Sequence, residues 1–110
     1  MKWSIEYYSP KVEEEVLNLP DELLSPYFRL ADLMLEFGPN LGMPHTRPIE
    51  NGLFELRVKS KEGITRVFFC TKRGNNIIVL HIFVKKTQKT PLEELKLANK
   101  RMLEVLKNDA

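Results

Sequence analysis

The fold is decided between residues 53 and 84. There Leu53-Phe54-Glu55-Leu56-Arg57-Val58-Lys59, Thr65-Arg66-Val67-Phe68-Phe69-Cys70-Thr71 and Ile77-Ile78-Val79-Leu80-His81-Ile82-Phe83-Val84 follow one another across two short polar breaks. The breaks, Ser60-Lys61-Glu62-Gly63 and Lys72-Arg73-Gly74-Asn75-Asn76, have hairpin length and carry turn residues. Runs rich in β-branched and aromatic residues, joined in this way, predict a three-strand antiparallel meander. Side chains alternate across a strand, so the runs sort into two faces. One face takes Phe54, Leu56, Val58, Val67, Phe69, Ile78, Leu80, Ile82 and Val84, all apolar, and must meet helices. The other takes Glu55, Arg57, Lys59, Arg66, Phe68, Cys70, Val79, His81, Phe83 and Lys85. Its mixture of cations with outward-facing Phe68 and Phe83 marks it as the working surface.

Toward the N-terminus, Trp3, Ile5 and Tyr7 alternate with polar neighbours as in a half-buried strand. Ser9-Pro10 supplies a helix cap and a proline at the first helical position. Val12, Val16, Leu17 and Leu19 then give a short amphipathic helix that Pro20 ends. Asp21 can cap a second helix, whose broad apolar face runs from Leu23 to Phe37 and stops at Gly38-Pro39. The stretch from Gly38 to Pro48 holds Pro39, Gly42, Pro44 and Pro48 and reads as a loop. Toward the C-terminus, Thr90-Pro91-Leu92-Glu93 matches a capping box, and Leu92, Leu95, Leu97, Ala98, Met102, Leu103, Val105 and Leu106 continue as a helix. The expectation is one α+β domain over residues 1–110: an N-terminal strand, a helical hairpin, the meander and a C-terminal helix, with one small sheet and the helices on one face.

A chain of 110 residues suits a single core and excludes a two-domain enzyme. The 43% hydrophobic and 29% charged composition is that of a folded globule. Cys70 is the only cysteine, so it can form neither an internal disulfide nor a thiolate metal site, which fits a reducing cytoplasm. No run approaches the roughly 20 apolar residues of a membrane span, and the first residues lack a signal peptide's apolar stretch. The protein is therefore expected in the cytoplasm, away from membranes. Charge is unevenly spread: residues 1–40 carry 3 Lys/Arg against 8 Asp/Glu, whereas the remainder carries 14 against 7. That basic C-terminal part favours a phosphate-rich partner. Lys85-Lys86-Thr87-Gln88-Lys89 concentrates the charge just before a helix N-terminus, which also attracts anions. Taken singly, each cation reads as a solvated surface group; shared with His81 on one sheet face, they read as a phosphate site.

His45 lies in the Pro-rich loop and reads as incidental, whereas His81 stands beside Arg57 and Arg66, where it can orient or deprotonate a substrate. The two histidines lack further ligands at metal-binding spacing, and there is no Gly-rich phosphate loop, nucleophile elbow or Cys/His pair. No metal or cofactor is expected.

The order of elements resembles the RelE/ParE toxin superfamily. Within it, Gly52-Leu53-Phe54-Glu55-Leu56-Arg57, Thr65-Arg66-Val67-Phe68-Phe69 and Phe83-Val84-Lys85-Lys86-Thr87-Gln88-Lys89-Thr90-Pro91 resemble the phage-derived HigB-like branch of type II toxin–antitoxin toxins. The resemblance implies a ribosome-dependent endoribonuclease that cleaves messenger RNA and is silenced by a helix-turn-helix antitoxin in a hetero-oligomer. It implies that Arg57 and Arg66 are the family's sheet arginines and that Lys86 is the basic position ending the last strand, with Lys85 and Lys89 as neighbours. Lys59 joins them as an RNA-binding cation. The tyrosine that some RelE-type members place early in the last helix is absent, since Thr90-Pro91-Leu92 stands there.

Metal-free RNA cleavage uses the 2'-hydroxyl as nucleophile. The protein must take a proton from it, steady an anionic phosphorane and help the 5' oxygen leave. Arginine forks suit the phosphorane; Lys86, with its pKa lowered by crowding, or His81 suits the proton transfers. A ParE-like toxin that binds DNA gyrase without breaking a bond, and an inactive binding module, are the competing readings. The nuclease reading requires the cations to converge in an accessible pocket, not to be buried in ion pairs beneath the helices.

Overall fold

The computed structural model describes residues 2–61, 63–85 and 91–108, with Lys85 described through its backbone. The elements are β1 (Ser4–Tyr7), α1 (Pro10–Leu17), α2 (Asp21–Phe37), β2 (Thr46–Glu50), β3 (Leu53–Ser60), β4 (Gly63–Lys72), β5 (Asn76–Lys85) and α3 (Leu92–Lys107). The five strands form one sheet in the order β1-β5-β4-β3-β2. β2 to β5 run antiparallel, and β1 pairs in parallel with β5 at the opposite edge.

The α+β order expected from the sequence is present, with one more strand in the meander. Residues 46–50, read above as the end of a loop and its exit, form β2, which pairs with β3 from Thr46 opposite Leu56 to Glu50 opposite Leu53. Asn51 and Gly52, at φ 51° and 92°, make the two-residue turn between them, as a tight hairpin of the favoured hand requires. Pro48 is tolerated because β2 is an edge strand, and the register shifts beside it.

The Ser9 hydroxyl accepts the Val12 N–H at 3.2 Å and caps α1, with Pro10 in the first turn. α2 and α3 begin differently from expectation. Pro20 and Pro91 occupy their cap positions without a side-chain cap bond, and Asp21 and Glu22 in α2, or Glu93 and Glu94 in α3, place negative charge against the exposed N–H groups. Thr90 of the expected capping box lies outside the described residues. At the end of α2, Gly38 at φ 92° lets the Trp3 indole rest on the chain, since a Cβ there would stand 2.9 Å from the ring.

The helices occupy both faces of the sheet, not one. On the first face Val12, Val16, Leu23, Tyr27, Leu30 and Met34 of α1 and α2 pack on Leu56, Val58, Val67, Phe69, Ile77 and Val79. On the second, Ala98 and Met102 of α3 pack on Leu53, Phe68, Cys70, Ile78 and Leu80. The reason is a bulge. Phe68 pairs with His81 but Phe69 with Val79, so Leu80 is the extra residue and the alternation of β5 changes phase there. Ile78 and Leu80 thus move to the second face, and Val79 to the first. Phe68, expected to be exposed, is fully buried beneath α3, and Phe83 is half-buried against the same cluster. No helix is long and apolar enough to cross a membrane.

Candidate functional site

The successive pairings β2–β3, β3–β4 and β4–β5 set two rows of side chains across the α3 face. In the first, Arg47, Glu55, Phe68 and His81 lie opposite one another on successive strands. In the second, Arg57, Arg66 and Phe83 do the same. The backbone of His45 extends the second row, because its carbonyl accepts the Arg57 N–H at 2.8 Å. Residues two apart on one strand share a face, so Glu55 and Arg57 meet the arginines of both neighbouring strands.

Glu55 is the centre of this arrangement and is fully buried. Its Oε1 accepts a hydrogen bond from Arg66 at 2.7 Å and from Arg47 Nε at 3.0 Å. Arg57 Nε stands 3.9 Å from the same oxygen, within ion-pair but not hydrogen-bond distance. Three guanidinium groups therefore face one carboxylate, and the cluster keeps surplus positive charge. Exposure is graded: 4% for the Arg66 side chain, 18% for Arg57 and 47% for Arg47. A buried carboxylate is tolerated only when paired, and here the pairing also fixes the planar forks of the arginines before any ligand arrives. Glu55 Oε2 and Arg57 Nε have no hydrogen-bond partner among the described residues.

Beside the arginines, His81 Nε2 lies 2.7 Å from Glu94 Oε1 in the first turn of α3. The ring lies nearly parallel to that of Phe68, with centroids 6.3 Å apart. The carboxylate can only accept, so in the neutral ring Nε2 carries the hydrogen and Nδ1 the lone pair. Nδ1 is buried with no partner among the described residues. Arg101 of α3 donates to the Leu80 carbonyl at 2.8 Å and covers the Tyr8 ring, which docks the helix that delivers Glu94. The Tyr8 hydroxyl donates to Glu104 at 2.6 Å, and this carboxylate raises the tyrosine pKa.

Of the residues singled out by the sequence, the fold brings Arg57, Arg66 and His81 together on one face. Lys59 follows Arg57 on the same face and is exposed. Lys85 ends β5 opposite Ile64, while Lys86 and Lys89 lie outside the described residues. Arg66 does not present an open fork; it is tied to Glu55 inside the cluster. Four residues escaped the sequence reading in their present roles. Glu55 lay on the mixed face without a role, Arg47 and His45 sat in a segment read as loop, and Glu94 stood in an ordinary helix first turn. The Asn51-Gly52 pair is the signal that could have recovered β2, and with it the position of Arg47 opposite Glu55. No group of three or more His, Cys, Asp or Glu side chains disposed to hold a metal occurs among the described residues.

The fold is similar to that of the RelE protein in the archaeal RelE–RelB complex from Pyrococcus horikoshii OT3, with a TM-score of 0.61 at 15% identity, covering 80% of this chain and 100% of that one. It is also similar to an arginine-substituted mutant of the E. coli toxin RelE in the free state, with a TM-score of 0.58 at 14% identity, covering 93% of this chain and 99% of that one. At such identities the likeness establishes a RelE-like fold. A search of the curated proteins finds no match. The family "Phage derived protein Gp49-like (DUF891)" matches residues 14–103, which span the second half of α1, all of α2, the whole meander and most of α3, and the chain belongs to that family.

Proposed function

We propose that this protein is the toxin of a type II toxin–antitoxin pair, of the HigB-like kind, and acts as a metal-independent endoribonuclease on messenger RNA at the ribosome. The observation that carries the reading is the convergence of Arg47, Arg57 and Arg66 on one buried carboxylate, on a sheet face that also holds His81. A cluster with surplus positive charge and pre-oriented forks suits a phosphate that becomes more anionic as it reacts. Arg57, partly exposed, takes the phosphate oxygens directly. Arg66, held by Glu55, contributes its charge and positions its neighbour.

In the proposed reaction the 2'-oxygen attacks the adjacent phosphorus as a base takes its proton. The P–O5' bond breaks, and the leaving oxygen receives a proton, leaving a 2',3'-cyclic phosphate and a 5'-hydroxyl. Lys86, with Lys85 and Lys89 beside it in sequence, is the acid–base group that the resemblance suggests. His81, oriented by Glu94, is the alternative on the described face. The Pyrococcus protein with the same fold is bound to RelB, which supports an antitoxin partner for this chain too, here proposed as a helix-turn-helix protein.

The test is induction in growing cells with transcript ends mapped. Wild type is expected to cut messages within seconds of translation arrest, with Arg57→Ala silent and both forms still bound by the antitoxin. Intact transcripts accompanied by a DNA-damage response would replace the nuclease with a gyrase-directed toxin.

A further inference from the structure

β2 ends before β3 does, and the ladder closes with the His45 carbonyl on the Arg57 N–H. Past that point the outer edge of β3 borders a cleft of about 160 Å³. Four basic side chains line it from three separate segments: Arg29 of α2, His45 of the loop, and Arg57 and Lys59 of β3. Pro26 and Pro44 are among its walls, and no Asp or Glu is among its lining residues. Neither Arg29 nor Lys59 has a carboxylate within ion-pair distance among the described residues. Like charges gathered around a partly apolar hollow repel one another and strengthen the field toward an incoming anion. Arg57 belongs to both places, since its Nε lies 3.9 Å from Glu55 while its side chain borders the cleft.

We infer that this cleft is a second phosphate site, which holds a backbone phosphate of single-stranded RNA next to the one gripped at the Glu55 cluster. The inference rests on the nuclease reading above. Successive phosphates of one strand are about 3.4 Å apart along a stacked helix axis and farther when the strand is extended, so one shared arginine can serve two neighbours. An acidic protein segment would meet the same charges, but the continuity with the arginine cluster favours a repeating polyanion. Arg29, Lys59 and His45 thereby act as binding residues that set how the strand enters.

The experiment uses a 2'-O-methyl octanucleotide, which lacks the attacking hydroxyl, with binding followed by fluorescence anisotropy and by the His45 ring signals in NMR. Wild type is expected to show a His45 response on binding. Arg29→Ala and Lys59→Ala, both at exposed positions, are each expected to weaken binding about fivefold and to lower the slope of log affinity against log salt by about one, with unchanged melting temperatures. Unchanged binding in both variants with a silent His45 overturns the inference. So does an Asp/Glu-rich peptide of equal charge that shifts His45 as strongly as the RNA, because the cleft is then a protein-docking site, and so does a response to inorganic phosphate but not to the octanucleotide. A wild-type protein that cuts no transcript yet shows the full His45 response keeps the cleft and refutes the nuclease reading.

Discussion

The two faces of the sheet are built from alternate residues of the same strands, yet they are held by different physics. The α1/α2 face is closed by aliphatic and aromatic contacts, with Leu56, Val58, Val67 and Phe69 all fully buried. The α3 face is apolar only where the helix lies, over Leu53, Phe68, Cys70, Ile78 and Leu80. Toward β2 it turns into Glu55 and three arginines. Apolar burial gains stability with little demand on geometry, whereas a buried charge cluster roughly breaks even for folding at best. On the proposed reading, charges in that place serve a ligand rather than the fold.

The largest effects expected from breaking the comparison are on stability. Phe69→Ala removes a fully buried ring stacked 5.4 Å from Phe54 and should cost about 3–5 kcal/mol in urea denaturation, with cleavage per folded molecule unchanged. Glu55→Ala should cost a similar amount, about 3–5 kcal/mol, because the carboxylate on which Arg47, Arg57 and the nearly buried Arg66 converge is removed, and it should abolish cleavage as well. Equal stability loss with opposite functional outcome is the signature sought. Next, Arg57→Ala should lower transcript cleavage about 10²-fold with little change in melting temperature, since one donor to a developing oxyanion is removed. A loss of under threefold would move the phosphate contact elsewhere.

The smallest effect belongs to the first face, where the Tyr7 and Tyr27 hydroxyls share a hydrogen bond of 2.9 Å. Burial, and then that bond, push the Tyr27 pKa well above its ordinary value of 10.0. The native state thus favours the protonated phenol more than the unfolded chain does. Its contribution is complete below about pH 10 and is lost as pH rises above that value. Tyr27→Phe should cost about 1 kcal/mol at neutral pH and make the alkaline decline of stability shallower, as followed by denaturation at several pH values.

Much of this was legible in the sequence because local patterns and tertiary structure agree. The strand runs from Leu53 to Val84, the α1 cap at Ser9 and the apolar stripe of α2 all fold as their periodicities imply. What was hidden depends on pairing rather than on local pattern. Pro48 obscured β2, although Asn51-Gly52 announced its turn. The bulge at Leu80 reversed the faces of half of β5, so α3 finds a second apolar surface that strict alternation does not contain. The site was half legible: Arg57, Arg66 and His81 share a face as alternation requires. Burial of Glu55, however, follows only from the register that brings Arg47 and Arg66 to it, and His45 gains a role only from where β2 stops.

The central claim is that the buried cluster serves the ligand and not the fold, and the double variant Glu55→Leu/Arg66→Met tests it most directly. Replacing a buried ion pair by apolar groups of similar size is often neutral or stabilising. We predict a variant that recovers most of the loss caused by Glu55→Ala, the remainder reflecting Arg57, which still lacks the carboxylate, and whose cleavage of transcripts has fallen about 10²-fold or more. A double variant as unstable as the single one, or one that still cuts at the wild-type rate, would contradict the account.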